Sequence, residues 1–393
     1  MKILVISQQY WPGNWRIVDI CQKLVTRGYQ VSVVCGGSSK HNSVQKLVQH
    51  PDQHCGVTIY RVKDLPKKNS NLSLLRSYLS FSLQASKLVR RLPDDFDLVF
   101  VNQLTPIHQI KPGIDYSQKN HKKLMVYCLD VWPASLEARG LQKRGIFGSV
   151  FHHYVQLSSK YYNSADRLFI SSPGFAGYLE STCRVPASKI VLLPQYADNV
   201  FTVSPVAKST STKKNFVFSG NTGKAQDVET ILNAAHSLLN EKDIQITIAG
   251  DGPDFLKIQK MVSGLNLTNV TLCGRLPLED MPSLYSQATC FLITLCPKEF
   301  ASLVIPGKTQ SYLAYGKPVI GAANGSLNKL INEDAQCGFC VASGDAVGLS
   351  KAILRFAKMS SDELRIFGDR GHRYYQENFS EETFFHILDK EFH

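Results

Sequence analysis

Between residues 215 and 322 one pattern recurs four times. A short apolar run enters a glycine-containing loop, and the loop enters a helical segment. The runs are Phe216–Ser219, Ile244–Ala249, Val270–Cys273 and Cys290–Thr294, and the first three loops read GNTGKAQD, GDGPD and GRLPLED. The fourth repeat, FASLVIPGKTQSYLAYGKPVIGAAN (300–324), holds a Pro306-Gly307-Lys308 turn, a helical stretch from Ser311 to Tyr315 and a Gly316-Lys317-Pro318 stop. A buried run at Val319–Gly321 follows. Runs of four to six apolar residues bounded by Gly and Pro, alternating with helical periodicity, constrain the chain to βα units on a parallel sheet. The loop before each helix offers unpaired N–H groups and the positive end of a helix dipole, which suits a phosphate.

The first half repeats the same grammar. Lys2–Ser7 reads as a strand, QQYWPGNWR as a loop, Ile17–Thr26 as a helix closed by Arg27-Gly28, and Val31–Cys35 as the next strand. Further strands are expected at Val57–Val62, Phe96–Asn102, Lys123–Leu129, Arg167–Ser171 and Ile190–Leu193, with helices at Val150–Asn163 and from Ser172-Pro173-Gly174 to about Ser181. Residues 40–56 are polar and read as a solvated loop, and His41, His50 and His54 match no compact metal-ligand spacing. The Ser-, Thr- and Lys-rich segment 202–214 is the best linker. The expected organisation is a first domain at 1–200, a linker at 201–214, a second domain at 215–375 and a tail at 376–393. That is an α/β protein of two doubly wound, Rossmann-like domains facing across a cleft.

Nothing approaches the roughly 18 apolar residues of a membrane span, and MKILVISQQYWP lacks the layout of a signal peptide. A cytoplasmic protein is expected. The ten cysteines are scattered, several of them in apolar runs, and read as buried thiols. Cys337-x-x-Cys340 stands without a second ligand pair. The net charge of +12 is one-sided: residues 1–200 carry 25 Lys and Arg against 12 Asp and Glu, and residues 201–393 carry 19 against 20. Such a field points to an anionic partner: lipid, nucleic acid or a phosphorylated substrate. Within 65–92, Leu74, Tyr78, Phe81, Ala85 and Leu88 recur at helical spacing, with Arg and Lys around them. The segment reads either as a core helix with a basic rim or as a helix whose exposed edge meets an anionic bilayer.

Ligands of open α/β sheets lie beyond the carboxyl ends of the strands. In the second domain that edge carries Gly220, Asn221 and Lys224, then Gly252, then Arg275, then Pro306, Gly307, Lys308 and Ser311. Three cations with convergent N–H donors make a plausible diphosphate cradle. In the first domain the same edge carries Gly13, Asn14 and Arg16, then His108, then Asp130. Neither a G-x-G-x-x-G dinucleotide fingerprint nor a P-loop is present. Asp130, directly after a buried strand, is the best-placed general base and His108 the second candidate; the competing reading of Asp130 is capping or structural pairing beside Trp132.

The stretches MKILVISQQYWPGNWRIVDICQKLVTRGYQVSVVCG, CLDVWPASL, FVFSGNTGKAQDVETILNAA, ITIAGDGPDF, VTLCGRLPLEDMPSLYSQATCFL and IPGKTQSYLAYGKPVIGA resemble, in this order and spacing, the glycosyltransferases of family 4 with the GT-B fold. The nearest branch builds bacterial surface polysaccharides, and the resemblance covers nearly the whole chain. It implies that the second domain binds a nucleoside-diphosphate sugar, a UDP-sugar ahead of a GDP-sugar, with Lys224 and its loop at the diphosphate. It implies that the first domain binds a lipid-linked or glycan acceptor at the inner leaflet of the cytoplasmic membrane, and that the tail crosses back onto the first domain. No metal or cofactor is expected, and the sugar is transferred with retention. One departure matters. Many members carry two glutamates eight residues apart before A-x-G-x-P-V, and the matching positions are Leu303 and Ser311. Glu299, four residues before Leu303, is the remaining carboxylate there. Two other functions compete: a nucleotide-sugar 2-epimerase of the same fold, which needs carboxylates lining its cleft, and a nucleic-acid binder using the basic half. The latter leaves the phosphate-like loops unexplained, so nucleic acid is not an expected partner.

Overall fold

The computed structural model describes residues 1–37, 44–65, 71–138, 148–202 and 213–393, with backbone alone for 71–75. The chain divides into two compact units. Unit 1 is Met1–Ser171, Phe175–Leu192 and Phe392; unit 2 is Ser172–Gly174, Leu193–Glu391 and His393. The expected linker lies almost wholly in residues 203–212, outside the described residues.

In unit 1 the described strands are β1 (Lys2–Ile6), β2 (Gln30–Gly37), β3 (Asp52–His54), β4 (Val57–Lys63), β5 (Leu98–Gln103), β6 (Lys123–Cys128), β7 (Arg167–Ile170) and β8 (Ile190–Leu192). They form one sheet in the order β3-β4-β2-β1-β5-β6-β7-β8, parallel except for the β3–β4 pair. Strands β1 and β5 are buried on both faces, which is why Ile3–Ile6 and Leu98–Val101 read as unbroken apolar runs. The Arg16–Thr26 helix covers the sheet through Ile17, Ile20, Cys21 and Leu24.

Residues 40–56 are not a plain solvated loop. Residues 38–43 lie outside the described set, but Val44–Gln49 is helical and β3 pairs with β4. The cause is the Cys55-Gly56 turn. Both residues have positive φ (48° and 78°), the geometry of a two-residue hairpin turn. On the Asn71–Val89 helix Tyr78, Phe81, Ala85 and Leu88 are buried, as the periodicity predicts; Val89 joins them, and Leu79 is exposed.

In unit 2 the described strands are β9 (Lys214–Ser219), β10 (Ile244–Ala249), β11 (Val270–Gly274), β12 (Cys290–Thr294), β13 (Val319–Ala322) and β14 (Gly338–Val341). They form one parallel sheet in the order β11-β10-β9-β12-β13-β14. Alternation sorts β9: Phe216 and Phe218 join Ile231, Ile246 and Ile248 on one face, and Val217 joins Phe291, Tyr312 and Leu313 on the other. The Lys308–Tyr315 helix ends at Gly316, whose φ of 76° is the left-handed stop that the GKP signal predicts. Two helices, Ala346–Ala357 and Ser361–Asn378, follow the last strand. Ser360 separates them through a capping box with Glu363. The expected tail is mostly a further helix, Glu381–Phe392, capped by Ser380, whose Oγ accepts from the Thr383 N–H at 3.1 Å. Both units are thus doubly wound α/β layers. The strand order reverses between β1 and β5 in unit 1 and between β9 and β12 in unit 2.

Candidate functional site

The reversal point of unit 2 is built by glycines. Beyond the strands, Gly220 N–H donates to Ala249 O (2.9 Å), Gly250 N–H to Gly274 O (2.7 Å) and Thr222 N–H to Asp251 O (3.1 Å). Gly250 has φ 145°, and a Cβ on it would stand 1.8 Å from Gly220 O, so only glycine fits there. Gly252 leaves room for the Asn221 carboxamide, which a Cβ would meet at 2.4 Å. The loop after β9 is tied sideways to β12. Thr294 Oγ1 donates to Gln226 O at 2.5 Å, and Cys296 N–H donates to Ala225 O at 3.0 Å. The end of β9 is held by two phenols: Ser219 N–H donates to Tyr312 Oη (2.8 Å), and Ser219 Oγ bonds Tyr285 Oη (2.7 Å).

Lys308 enters this frame from the first turn of the Lys308–Tyr315 helix, which has no side-chain cap. Its Nζ lies 3.8 Å from the centroid of the Phe218 ring. A Cβ added to Gly220 would stand 2.9 Å from it. The residue as a whole keeps part of its surface in solvent, but the nitrogen that carries the charge has none and has no hydrogen-bond partner. Burial lowers its pKa to about 7. Thr222 Oγ1 and Gln226 Oε1, after β9, and Thr309 Oγ1, next to Lys308 on its helix, are also buried without partners. A native fold rarely leaves such groups unpaired, and several of them at one reversal point are bonding capacity that a polar ligand can take up.

The other expected donor-side residues fall around this frame. Lys224 and Arg275 stand exposed on the loops after β9 and β11. Pro306 is buried, and its carbonyl accepts from Thr309 N–H at 2.9 Å. Gly307 is exposed, and Ser311 is buried on the helix. Glu299 is exposed on the short Glu299–Ser302 helix. Thr222, Gln226 and Thr309 were not expected as site residues. Their signal is adjacency to the G-K pairs in GNTGKAQ and PGKT, and hydroxyl or amide chemistry alone does not separate them from ordinary loop residues. The same holds for Tyr285 and Tyr312, which are distant in sequence from Ser219.

In unit 1 the β5 and β6 loops are joined. Trp132 Nε1 donates to Thr105 Oγ1 at 3.1 Å, and both Trp132 and His108 contact the Tyr154 ring, at 5.2 and 5.7 Å. His108 has a buried, unpartnered Nδ1. Burial, with His153 nearby, lowers its pKa, so the ring is neutral at neutral pH. The Asp130 carboxylate accepts from the Ser135 side-chain hydroxyl on the Ala134–Ala138 helix, a side-chain pairing beside Trp132. Arg16 pairs with Asp19 at 3.4 Å on its own helix, Asn14 is exposed, and Gly13 lies against Trp15. All ten cysteines are free, and only Cys55 is exposed. Among the described residues no group of three or more His, Cys, Asp or Glu gathers as a metal site.

Two family models match the chain: one described as glycosyl transferases group 1 over residues 213–359, the other as glycosyltransferase family 4 over residues 13–199. Among curated proteins, a probable glycosyltransferase, WbjE of Pseudomonas aeruginosa, is 26% identical over 266 residues, 64% of this chain and 63% of that protein. The chain spans less than two thirds of the length of the curated relatives it matches. Among solved structures, a sucrose-phosphate synthase from Thermosynechococcus elongatus superposes with a TM-score of 0.78 at 16% identity, over 100% of this chain and 98% of that one. HepE of Anabaena, in complex with UDP and glucose, superposes with a TM-score of 0.70 at 16% identity over 99% of both chains.

Proposed function

Because this chain belongs to the family 4-like glycosyltransferases of the GT-B fold, we propose that it moves a hexosyl group from a nucleoside-diphosphate sugar to a lipid-linked or glycan acceptor in surface-polysaccharide synthesis, with retention at the anomeric carbon. The observation that carries the reading is Lys308 Nζ, buried without a partner at the reversal point of unit 2 among three other unpaired polar atoms. A diphosphate supplies what Lys308 Nζ, Thr222 Oγ1 and Thr309 Oγ1 lack, oxygens that accept from an ammonium and from hydroxyls, while the Gln226 carboxamide oxygen accepts from a hydroxyl of the sugar or ribose. A UDP-sugar is the first donor to try, since a structural neighbour holds UDP and glucose.

Breaking the sugar–diphosphate bond builds negative charge on the leaving phosphate. Lys308, with Lys224 and Arg275 from the exposed loops, meets that charge, so the step needs neither a metal nor a cofactor. The Lys308 amine is half-protonated near pH 7 and is charged fully by the arriving phosphate. On the acceptor side, His108 is the neutral ring able to take a hydroxyl proton, and Asp130, already engaged by Ser135, acts through position.

The acceptor is presented at an anionic membrane surface. Among the described residues no helix is long and apolar enough to cross a membrane. The Asn71–Val89 helix turns Leu79 and Leu83, 37% and 59% exposed, outward between exposed Arg76, Lys87 and Arg90. Residues 76, 79, 83, 87 and 90 share one face, and a leucine pair flanked by cations suits an interface with anionic lipid.

The test is nucleotide release from UDP-, GDP- and dTDP-sugars in the presence and absence of a polyprenyl-diphosphate-linked saccharide. Acceptor-dependent release with a lengthened glycan is expected. An epimerised donor formed without acceptor, or no turnover of any donor, overturns the reading.

A further inference from the structure

Unit 1 contains a hollow of about 720 Å³ at the carboxyl ends of β1, β2 and β4. The transfer chemistry above makes no use of it, yet its walls are specifically arranged. Gly13 has no Cβ because the Trp15 indole occupies the space: Nε1 would stand 2.3 Å from that atom. Gly36 likewise makes room for the Asp64 carboxylate, which a Cβ would meet at 2.5 Å. Asp64 is fixed by Gln8, whose Nε2 donates to Oδ2 at 3.1 Å. Gln8 is only 4% exposed, and its Oε1 has no hydrogen-bond partner. Arg61 ties the two sides together. It donates to Trp11 O at 2.9 Å and to Gly36 O at 3.3 Å, and it pairs with Asp52 at 3.6 Å. Trp11 is held from behind by His54, stacked at 4.4 Å. Trp15 is 41% exposed.

The charge balance is the informative part. Two carboxylates and one guanidinium line the hollow, in the half of the chain that carries the whole basic excess. A phosphate or an acidic sugar meets net negative charge here, the reverse of the unit 2 site. An aromatic face beside carboxylate, amide and guanidinium groups suits a ring with an apolar C–H face and a rim of hydroxyls. The volume lies in the range of small-molecule sites.

We propose that this hollow seats one uncharged pyranose residue of the acceptor glycan, its C–H face on the Trp15 indole and its hydroxyls shared among Asp64, Asp52, Arg61 and Gln8. Naming the acceptor as its source rests on the transferase reading. The hollow thereby sets acceptor specificity: it selects a neutral sugar and rejects one bearing phosphate or carboxylate.

The test is saturation-transfer NMR on the full chain with methyl glycosides of glucose, galactose, mannose, rhamnose and N-acetylglucosamine, with glucose 6-phosphate as the anionic probe. At least one neutral glycoside binds, with saturation concentrated on the C–H groups of one ring face, and glucose 6-phosphate does not compete. Asp64→Ala weakens binding about tenfold or more, the scale of a lost charged hydrogen bond, and Trp15→Ala weakens it about tenfold by removing the apolar ring face. Trp15→Phe, which keeps the ring face, stays within about threefold on the same scale. Thermal melts check that each variant is folded. Binding by no glycoside, preference for glucose 6-phosphate, or unchanged binding in folded Trp15→Ala and Asp64→Ala overturns the proposal. Displacement of the glycoside by a saturating UDP-sugar overturns it too, by assigning the hollow to the donor. A UDP titration of the wild-type chain runs alongside: failure there removes the transferase reading, while the glycoside result still decides the hollow.

Discussion

Replacing Lys308 by Met should make the ligand-free protein more stable and its nucleotide binding worse. The stem length is kept, and the unpartnered nitrogen over Phe218 disappears. In the folded state burial lowers the Lys308 pKa from 10.5 to about 7. Between those values the unfolded chain holds a proton that the folded chain sheds, so stability rises with pH across that window. At about 1.4 kcal/mol per pKa unit, the lysine costs roughly 4 kcal/mol near pH 7, the full cost persists below it, and the cost fades by about pH 10.5. Lys308→Met should therefore gain roughly 4 kcal/mol near pH 7, about 10 °C in the melting of unit 2, and the gain should vanish toward pH 10.5. UDP binding should weaken about 10- to 100-fold, the scale of a charged hydrogen bond. The wild type at pH 8 should take up close to one proton per UDP bound, read by calorimetry in buffers of different ionisation enthalpy, and the variant should take up none. A variant that is less stable than wild type at pH 7, or that binds UDP with unchanged affinity and no loss of proton uptake, would refute the reasoning.

Gly250→Ala forces a side chain into a φ of 145° and onto Gly220 O, so it should cost roughly 3 kcal/mol or prevent folding. A thermal melt decides, and a neutral result would mean that the loops after β9 and β10 are not locked together. The double reversal Arg76→Glu/Lys87→Glu should abolish co-sedimentation with phosphatidylglycerol vesicles and leave binding to neutral vesicles as it was; equal binding to anionic vesicles would remove the membrane assignment. His108→Gln should lower kcat at least about tenfold. The wild-type acid limb of kcat/KM should fall below the ordinary imidazole value, because burial lowers the His108 pKa. A limb unchanged in the variant would take His108 out of the proton transfer.

The features legible in the sequence are those that depend on neighbours along the chain. Glycine after each apolar run, Gly316 at a helix end and the alternation of Phe216, Val217 and Phe218 state their purpose within a few residues. That is enough to place Gly220, Lys224 and Lys308 at the strand ends of one sheet. The Cys55-Gly56 hairpin is not legible because its dipeptide is a weak turn signal, and the sequence marks residues 376–393 only as a tail although Ser380 caps a helix there.

What the sequence determined by itself is therefore the two α/β layers and the pairing of glycine with cation at the strand ends of the second. Periodicity and punctuation are local properties, and they are written locally. What only the tertiary structure decided is which cation is buried and what each glycine makes room for. Lys224, Arg275 and Lys308 look equivalent in sequence, but Lys308 alone of the three lies over an aromatic ring ninety residues away, with its charge stripped of water. Gly13 and Gly36 look like ordinary turn residues until the Trp15 indole and the Asp64 carboxylate are found in the space a side chain would take. The depth of one atom, and with it its pKa, is set by everything packed around it, and no window of sequence contains those neighbours.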